Sequence, residues 1–319
     1  MPAVCPARQT GTTGVAIRDP WPWPVFSGLT RLAEALGYGA VFLPEIAGRD
    51  AFAALSALAG ETATMRLGTG VVAMPSRTAA LTAMAAATVH ERSDGRAILG
   101  IGTGPARPGA LDALRETVGE LRGRLAAVGG RGEPLALPSP VPVWIAALGP
   151  RAMRLAGSIA DGVLLNWCPP ERVGSAVREI AEGAAEAGRD AAEIEVAVYV
   201  RACLIDDEAD ALRALRAATG EYASYPAYAR QLRNVGLGDL ADRAADAHRD
   251  GRDEDVPDDL VRAIALVGDP ADARARLDRY RQAGADTVVV YPVAAGTDRA
   301  ASVADTLEAL RPARLHDPA

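Results

Sequence analysis

Along most of the chain a short run of apolar residues gives way to a longer segment whose apolar residues recur every third or fourth position, and the alternation then begins again. A short run bounded by turn residues predicts a buried strand, and the longer spacing predicts a helix with one face on a core. Strands fall at Thr13 to Arg18, Gly39 to Leu43, Met65 to Ala73, Arg96 to Ile101, Val143 to Ala147, the run ending at Asn166, Glu193 to Ile205 and Thr287 to Tyr291, eight in all. Helices are predicted over Leu29 to Leu36, from an Asp50 cap to Ala63, and over Thr78 to Arg92 and Leu111 to Val128. Others start at Pro150, cover Glu171 to Ala187, follow a cap at Asp206-Asp207, run from Asp269 to Ala283, and cover Arg299 to Leu310.

Eight strands alternating with helices over 319 residues is the layout of a single (β/α)8 TIM barrel, whose active site lies where the strands end. One domain over 1–319 is therefore expected. Residues from about 220 to 262 break the repeat with Tyr222, Tyr225, Tyr228 and charged helical segments, and predict a helical insertion before the last βα unit. An open doubly wound sheet is the rival, but Gly100, Gly102 and Gly104 in GIGTGP do not make the G-x-G-x-x-G of that fold.

The stretch VPVWIAALGPRAMRLAGSIADGVLLNW, Val141 to Trp167, reads as strand, turn, helix, strand. At Leu148-Gly149-Pro150 glycine permits a tight turn and proline suits the first helical position. The free N–H groups of that first turn attract anions, so a phosphate fits here with Arg151 and Arg154 nearby; the plainer alternative is a βα connection that binds nothing. PWPWP, with Trp21 and Trp23, predicts a loop.

Composition narrows the chemistry. The chain has no lysine, all 34 basic residues being arginine, so Schiff-base and pyridoxal-phosphate chemistry and a Walker lysine are excluded. Three histidines, none at metal-ligand spacing, argue against a metal site or a histidine-rich hydrolase. The three cysteines, Cys5, Cys168 and Cys203, are far apart, which suits a reducing compartment. A net charge of -7 without a basic run argues against nucleic acid, and no apolar run is long enough to span a bilayer. A cytoplasmic protein acting on a small-molecule substrate is expected, with a homodimer left open as the assembly.

Four stretches in order, LGYGAVFLPE, MRLGTGVVAMPSRTAALTAMAAATV, SDGRAILGIGTG and the Val141 to Trp167 stretch, resemble the luciferase-like (bacterial luciferase) family of flavin- and deazaflavin-dependent oxidoreductases. The resemblance covers most of residues 13 to 167, with weaker agreement in VGDPADARARLDRYRQAGADTVVVYP. It implies a barrel that holds coenzyme F-420, or alternatively FMN, over its mouth. A bulge ending the third strand, often with a non-proline cis peptide, backs the cofactor's central ring and maps to Gly70 and Val71. The turn after the fourth strand maps to Gly102, Thr103 and Gly104, and the phosphate-wrapping segment to Ala146, Ala147, Leu148, Gly149 and Pro150; Asn166 completes the set.

Two departures bear on mechanism. Where many relatives place a histidine after the second strand, this chain has Ile46, leaving Glu45 as the ionisable candidate catalytic residue; where sugar-phosphate dehydrogenases of the family have an acid, it has Pro105. Loss of a base argues against alcohol oxidation and for hydride transfer from reduced deazaflavin to an unsaturated or carbonyl-type acceptor. The alternatives are an FMN-dependent monooxygenase and a non-catalytic flavin-binding relative. Glu45 is weighed against a rim carboxylate paired with an arginine such as Arg49, and Arg77 against a solvated charge. Trp23 and Trp167 are expected to line the substrate pocket, and Trp144 to sit in the core.

Overall fold

A computed structural model of the chain describes residues 8–313 apart from 19–20, 47, 106, 128–134 and 136. Cys5 and His316 lie outside the described residues. The strands are β1 (Thr12–Ala16), β2 (Ala40–Glu45), β3 (Arg66–Ala73), β4 (Ala97–Gly102), β5 (Val143–Ala146), β6 (Gly162–Asn166), β7 (Glu195–Ala202), the two-residue β8 (Ala265–Leu266) and β9 (Thr287–Pro292). Each of β1 to β7 pairs in parallel with the next, β7 pairs with β9, and β9 returns to β1, so eight strands close a barrel. β8 was not foreseen. It pairs with Arg201 and Ala202 at the upper end of β7, beyond the point where β6 stops opposite Tyr199.

Both faces of these strands are covered, which is why they read as nearly continuous apolar runs rather than strict alternations. Inward residues, among them Phe42, Ile98, Trp144, Leu164, Tyr199 and Val289, fill the barrel, so Trp144 is core as expected. Its ring lies 5.7 Å from that of Phe42. Outward residues such as Val41, Leu67, Leu99, Val163 and Val288 pack under the helices. The N-terminal end of the barrel is pinned by polar contacts. Arg66 donates to both oxygens of Glu195 at 2.7 and 2.9 Å, and the Thr287 hydroxyl donates to the same carboxylate at 2.7 Å. On this fold such a network at the closed end serves stability, leaving the opposite end for chemistry.

The helices are α1 (Trp23–Ala35), α2 (Ala51–Leu58), α3 (Ala79–Arg92), α4 (Ala110–Ala126), α5 (Pro150–Ile159), α6 (Pro170–Glu186), α7 (Glu208–Ala223), α8 (Pro226–Arg233), α9 (Gly238–Arg249), α10 (Asp258–Ile264), α11 (Pro270–Gln282) and α12 (Arg299–Ala309). Side chains of Asp50, Thr78, Asp207 and Asp269 accept from first-turn N–H groups and fix the starts of α2, α3, α7 and α11. Two readings need correction. Trp23 is not in a loop but opens α1, because Pro22 caps the helix and Pro24 falls in its first turn, where a missing N–H costs nothing. The insertion, α8 to α10, begins after Ala223 rather than near 220, since α7 continues that far.

Candidate functional site

The C-terminal mouth has two unlike halves. On the β3 to β5 side the lining is mainly backbone and small side chains. The pairing of β3 shifts register against both neighbours near its end, and the Gly70–Val71 peptide is cis. A Cβ on Gly70 would stand 1.8 Å from the hydroxyl oxygen of Tyr199 and 2.9 Å from the Cβ of Phe42, so only glycine fits. The Tyr199 hydroxyl in turn donates to the Gly70 carbonyl at 3.3 Å. Burial pushes that phenol well above its ordinary range, so it stays a neutral donor.

Residues singled out from sequence meet here. A Cβ on Gly102 would lie 3.0 Å from Cγ2 of Val71 and 3.6 Å from Cβ of Ala146, which brings the ends of β3, β4 and β5 into one ledge. Gly104 has φ +69°, as the turn after β4 requires, and rests near Pro75; Thr103 beside it is half-buried. Ala147 is buried and its N–H donates to Leu164, while Leu148 and Gly149 are half-buried. Gly149 caps α5 without any side-chain hydrogen bond, and Pro150 takes the first helical position. The uncapped first turn therefore presents N–H groups at the rim. Of the two arginines expected beside it, Arg154 is committed to Glu182 in an exposed ion pair.

Glu45, at the end of β2, carries a carboxylate with both oxygens engaged. Arg77 donates to it from Nε at 2.8 Å and from Nη2 at 3.2 Å, and the Ala51 N–H donates at 3.0 Å. Its partner is thus Arg77, and not the Arg49 considered from sequence. Arg77 also pairs with Asp50, and its hydrogen bond to Glu45, more than that to Asp50, raises the guanidinium above its usual range. Arg77 is therefore not the solvated lone charge weighed from sequence. Trp23 is half-buried, its ring 5.5 Å from Phe26, with the Arg49 guanidinium 5.7 Å from its centre.

On the β6 to β9 side the lining consists of large polar and aromatic side chains. The Asn166 amide bridges two neighbours: its N–H donates to the Tyr228 hydroxyl at 2.9 Å, and its oxygen accepts from Arg201. Trp167, with φ +53°, is 2% exposed and stacks near Tyr222 at 4.9 Å. It lies beneath the insertion rather than on an open pocket wall. Gln231 on α8 donates to the carbonyls of Asn166 and Trp167 and so clamps the insertion to this strand end. Burial lifts Tyr228 to about 12, keeping it a neutral hydroxyl.

Sequence reasoning missed Tyr199, Arg201 and Tyr291. The signal for Arg201 was present: a charged residue inside the apolar run VAVYVRACLI of β7. A lone charge in a buried strand asks for a partner or a purpose.

The profile of the luciferase-like monooxygenases matches residues 3–287. The chain is 32% identical over 293 residues to a 5,10-methylenetetrahydromethanopterin reductase of Methanolobus tindarius, covering 81% of this chain and 87% of that one. In structure it is similar to the coenzyme F420-dependent tetrahydromethanopterin reductase of Methanopyrus kandleri, with a TM-score of 0.75 at 22% identity over 96% of this chain and 98% of the other. An F420-dependent secondary alcohol dehydrogenase in complex with an F420-acetone adduct superposes with a TM-score of 0.73 at 18% identity, over 94% and 99% of the two chains. The order of the motifs, the closed parallel barrel and the extent of these matches agree, and the chain belongs to the luciferase-like monooxygenase family.

Proposed function

We propose that this family member is an F420-dependent oxidoreductase that passes hydride from the reduced deazaflavin to a small unsaturated or carbonyl-type acceptor. The observation that carries the proposal is the ledge formed by Gly70, Val71, Gly102 and Ala146, a seat of small side chains in which Gly70 has no room for a Cβ and one on Gly102 would crowd Val71. Beside it, the uncapped start of α5 at Gly149-Pro150 suits the cofactor's phosphate, with Ala147 and Leu148 along its side chain and Thr103 and Gly104 at the opposite lip. Reduced deazaflavin, when bound, supplies the hydride. The protein supplies the geometry, and positioning alone is worth on the order of 7 kcal/mol in favourable cases.

The acid/base economy of the mouth supports reduction. Glu45 is tied into a three-residue ionic group with Arg77 and Asp50 that spans the ends of β2 and β3 and the start of α2, and we assign it to holding that rim closed. The hydride adds to the acceptor and the alkoxide or enolate so formed takes its proton from solvent, so reduction needs no protein acid. Drawing a proton from a neutral alcohol would instead need a free base, and Glu45 is occupied. The test is fluorescence titration of the purified protein with F420 and with FMN, followed by exposure of the reduced, loaded protein to ketones, enones and imines. F420 is expected to bind at least about tenfold more tightly than FMN, a difference near 1.4 kcal/mol. Preference for FMN would move the protein to flavin monooxygenase chemistry, and tight F420 binding with no hydride delivered to any acceptor would make it a binding protein.

A further inference from the structure

The described chain buries two arginines almost completely, and they are treated differently. Arg172, 6% exposed, is held by both oxygens of Glu179 at 2.9 and 3.1 Å. Arg201, 4% exposed, has no carboxylate partner among the described residues. Its neighbours are the faces of Tyr291, Trp167 and Tyr222, whose centres lie 4.1, 4.5 and 5.1 Å from its Cζ, and the amide oxygen of Asn166. Glu221, next to Tyr222 in sequence, is engaged by the Tyr225 hydroxyl at 3.1 Å. Ring faces and an amide attract a cation without neutralising it, and a buried charge left without a counter-ion is costly. Three ring faces and one amide oxygen surround the guanidinium, and the residue as a whole keeps 4% of its surface exposed.

Position gives the uncommitted charge a meaning. Arg201 follows Tyr199 by two residues on β7, hence on the same face and about 6 to 7 Å nearer the mouth. Tyr199 touches Gly70 on the ledge assigned to the cofactor. A group bound to Arg201 would thus stand on the substrate side of that ledge, under the insertion.

Resting on the proposed cofactor seat, we propose that Arg201 receives an anionic group, a carboxylate or a phosphate, carried by the substrate. Asn166, itself held by the Tyr228 hydroxyl, accepts from one nitrogen of the guanidinium and so positions it, and the ligand would take the remaining donors. Arginine suits this task because its planar fork meets two oxygens of one anion at once.

The experiment reads anion binding directly, without turnover. Trp167 lies against Arg201, so tryptophan fluorescence of the purified protein is followed on addition of acetate, benzoate or inorganic phosphate, with benzamide as the uncharged control. At least one anion is expected to saturate with a Kd on the order of 1 mM. Arg201→Gln should weaken that anion by about tenfold or more, Arg201→Lys less, and Gly149→Asp should leave it in place. Whether carboxylates or phosphate give the signal identifies the group. Absence of any saturable response in the unmodified protein overturns the proposal even if the Gln variant proves too unstable to study. So does a response lost in Gly149→Asp but kept in Arg201→Gln, which would place the anion on the α5 turn. Failure of hydride transfer leaves this result standing, and F420 activity without anion binding refutes the anion site alone.

Discussion

The two halves of the barrel mouth are built from different materials. At the ends of β3, β4 and β5, the surface is glycine, alanine and valine, and shape comes from the backbone. At the ends of β6, β7 and β9, Asn166, Trp167, Arg201, Tyr228 and Tyr291 are tied to one another by hydrogen bonds and ring faces. A flat ligand that recurs across a family is well served by the first kind of surface, because backbone positions are fixed by strand pairing and vary little. A ligand that differs from member to member is better served by the second, where exchanging one side chain alters charge or shape without disturbing the sheet. The insertion α8 to α10 meets the second half through Gln231 and Tyr228, so these polar and aromatic side chains lie beneath the segment that departs from the barrel repeat.

The division is tested most severely at Gly149. If a cofactor phosphate rests on the uncapped first turn of α5, a carboxylate at this position repels it. At about 5 Å and an effective dielectric near 20 the cost is about 3 kcal/mol, or about a hundredfold in affinity. Gly149→Asp should therefore abolish useful F420 binding in a titration while thermal melting shows an intact fold, since an aspartate is a good N-cap. Binding within a few-fold of the parent would break the comparison by showing that the first half does not hold the anion.

This asymmetry also explains what was legible in the sequence. The start of α5 could be read because Leu148-Gly149-Pro150 carries its conformational demand within three residues, whereas the bulge at Gly70-Val71 and the turn at Gly102 to Gly104 came only with the family resemblance of GTGVV and GIGTG. The barrel could be read because its strands alternate with capped helices. The Arg201 cage could not, since its members come from residues 166 and 167, from the end of α7, and from β9, and nothing local marks them as neighbours. Trp167 was expected on a pocket wall for its place after β6, and only the packing of the insertion shows that its ring is covered. Trp23 was misread for another reason, because prolines that break a helix interior are harmless in a first turn.

A smaller effect is expected next to the first half, where β2 ends in a charged side chain. Glu45 links α2 to Arg77, and the two side chains are 15% and 19% exposed, so the pair is only partly screened. Glu45→Gln keeps an acceptor for Arg77 but removes the charge, and should lower stability by about 1 kcal/mol. Turnover should persist at a reduced rate with F420 affinity unchanged. If turnover disappears while the cofactor still binds, Glu45 is a proton donor and the rim-closing role is wrong. Recording kcat against pH for both proteins separates these outcomes, because only a proton donor's loss removes a limb of the profile.

The smallest expected effect is at Gly149 again, with alanine. The residue has φ −107° and ψ 166°, an extended conformation any side chain adopts, and a Cβ placed there meets nothing within 4 Å. Alanine is a poorer N-cap than glycine by about 0.5 kcal/mol, but it also reduces the freedom of the unfolded chain by a similar amount, so the two terms nearly cancel. Stability should stay within about 0.5 kcal/mol of the parent, a shift in Tm of only one or two degrees for a chain of this size. Cofactor affinity should change less than about threefold, because the added methyl carries no charge and blocks no N–H, and a threefold change is under 1 kcal/mol. The contrast with aspartate is then electrostatic. A loss of tenfold or more with alanine would show instead that the ligand packs directly on the Gly149 Cα, and that this half of the mouth recognises its ligand by contact as closely as the Arg201 half does.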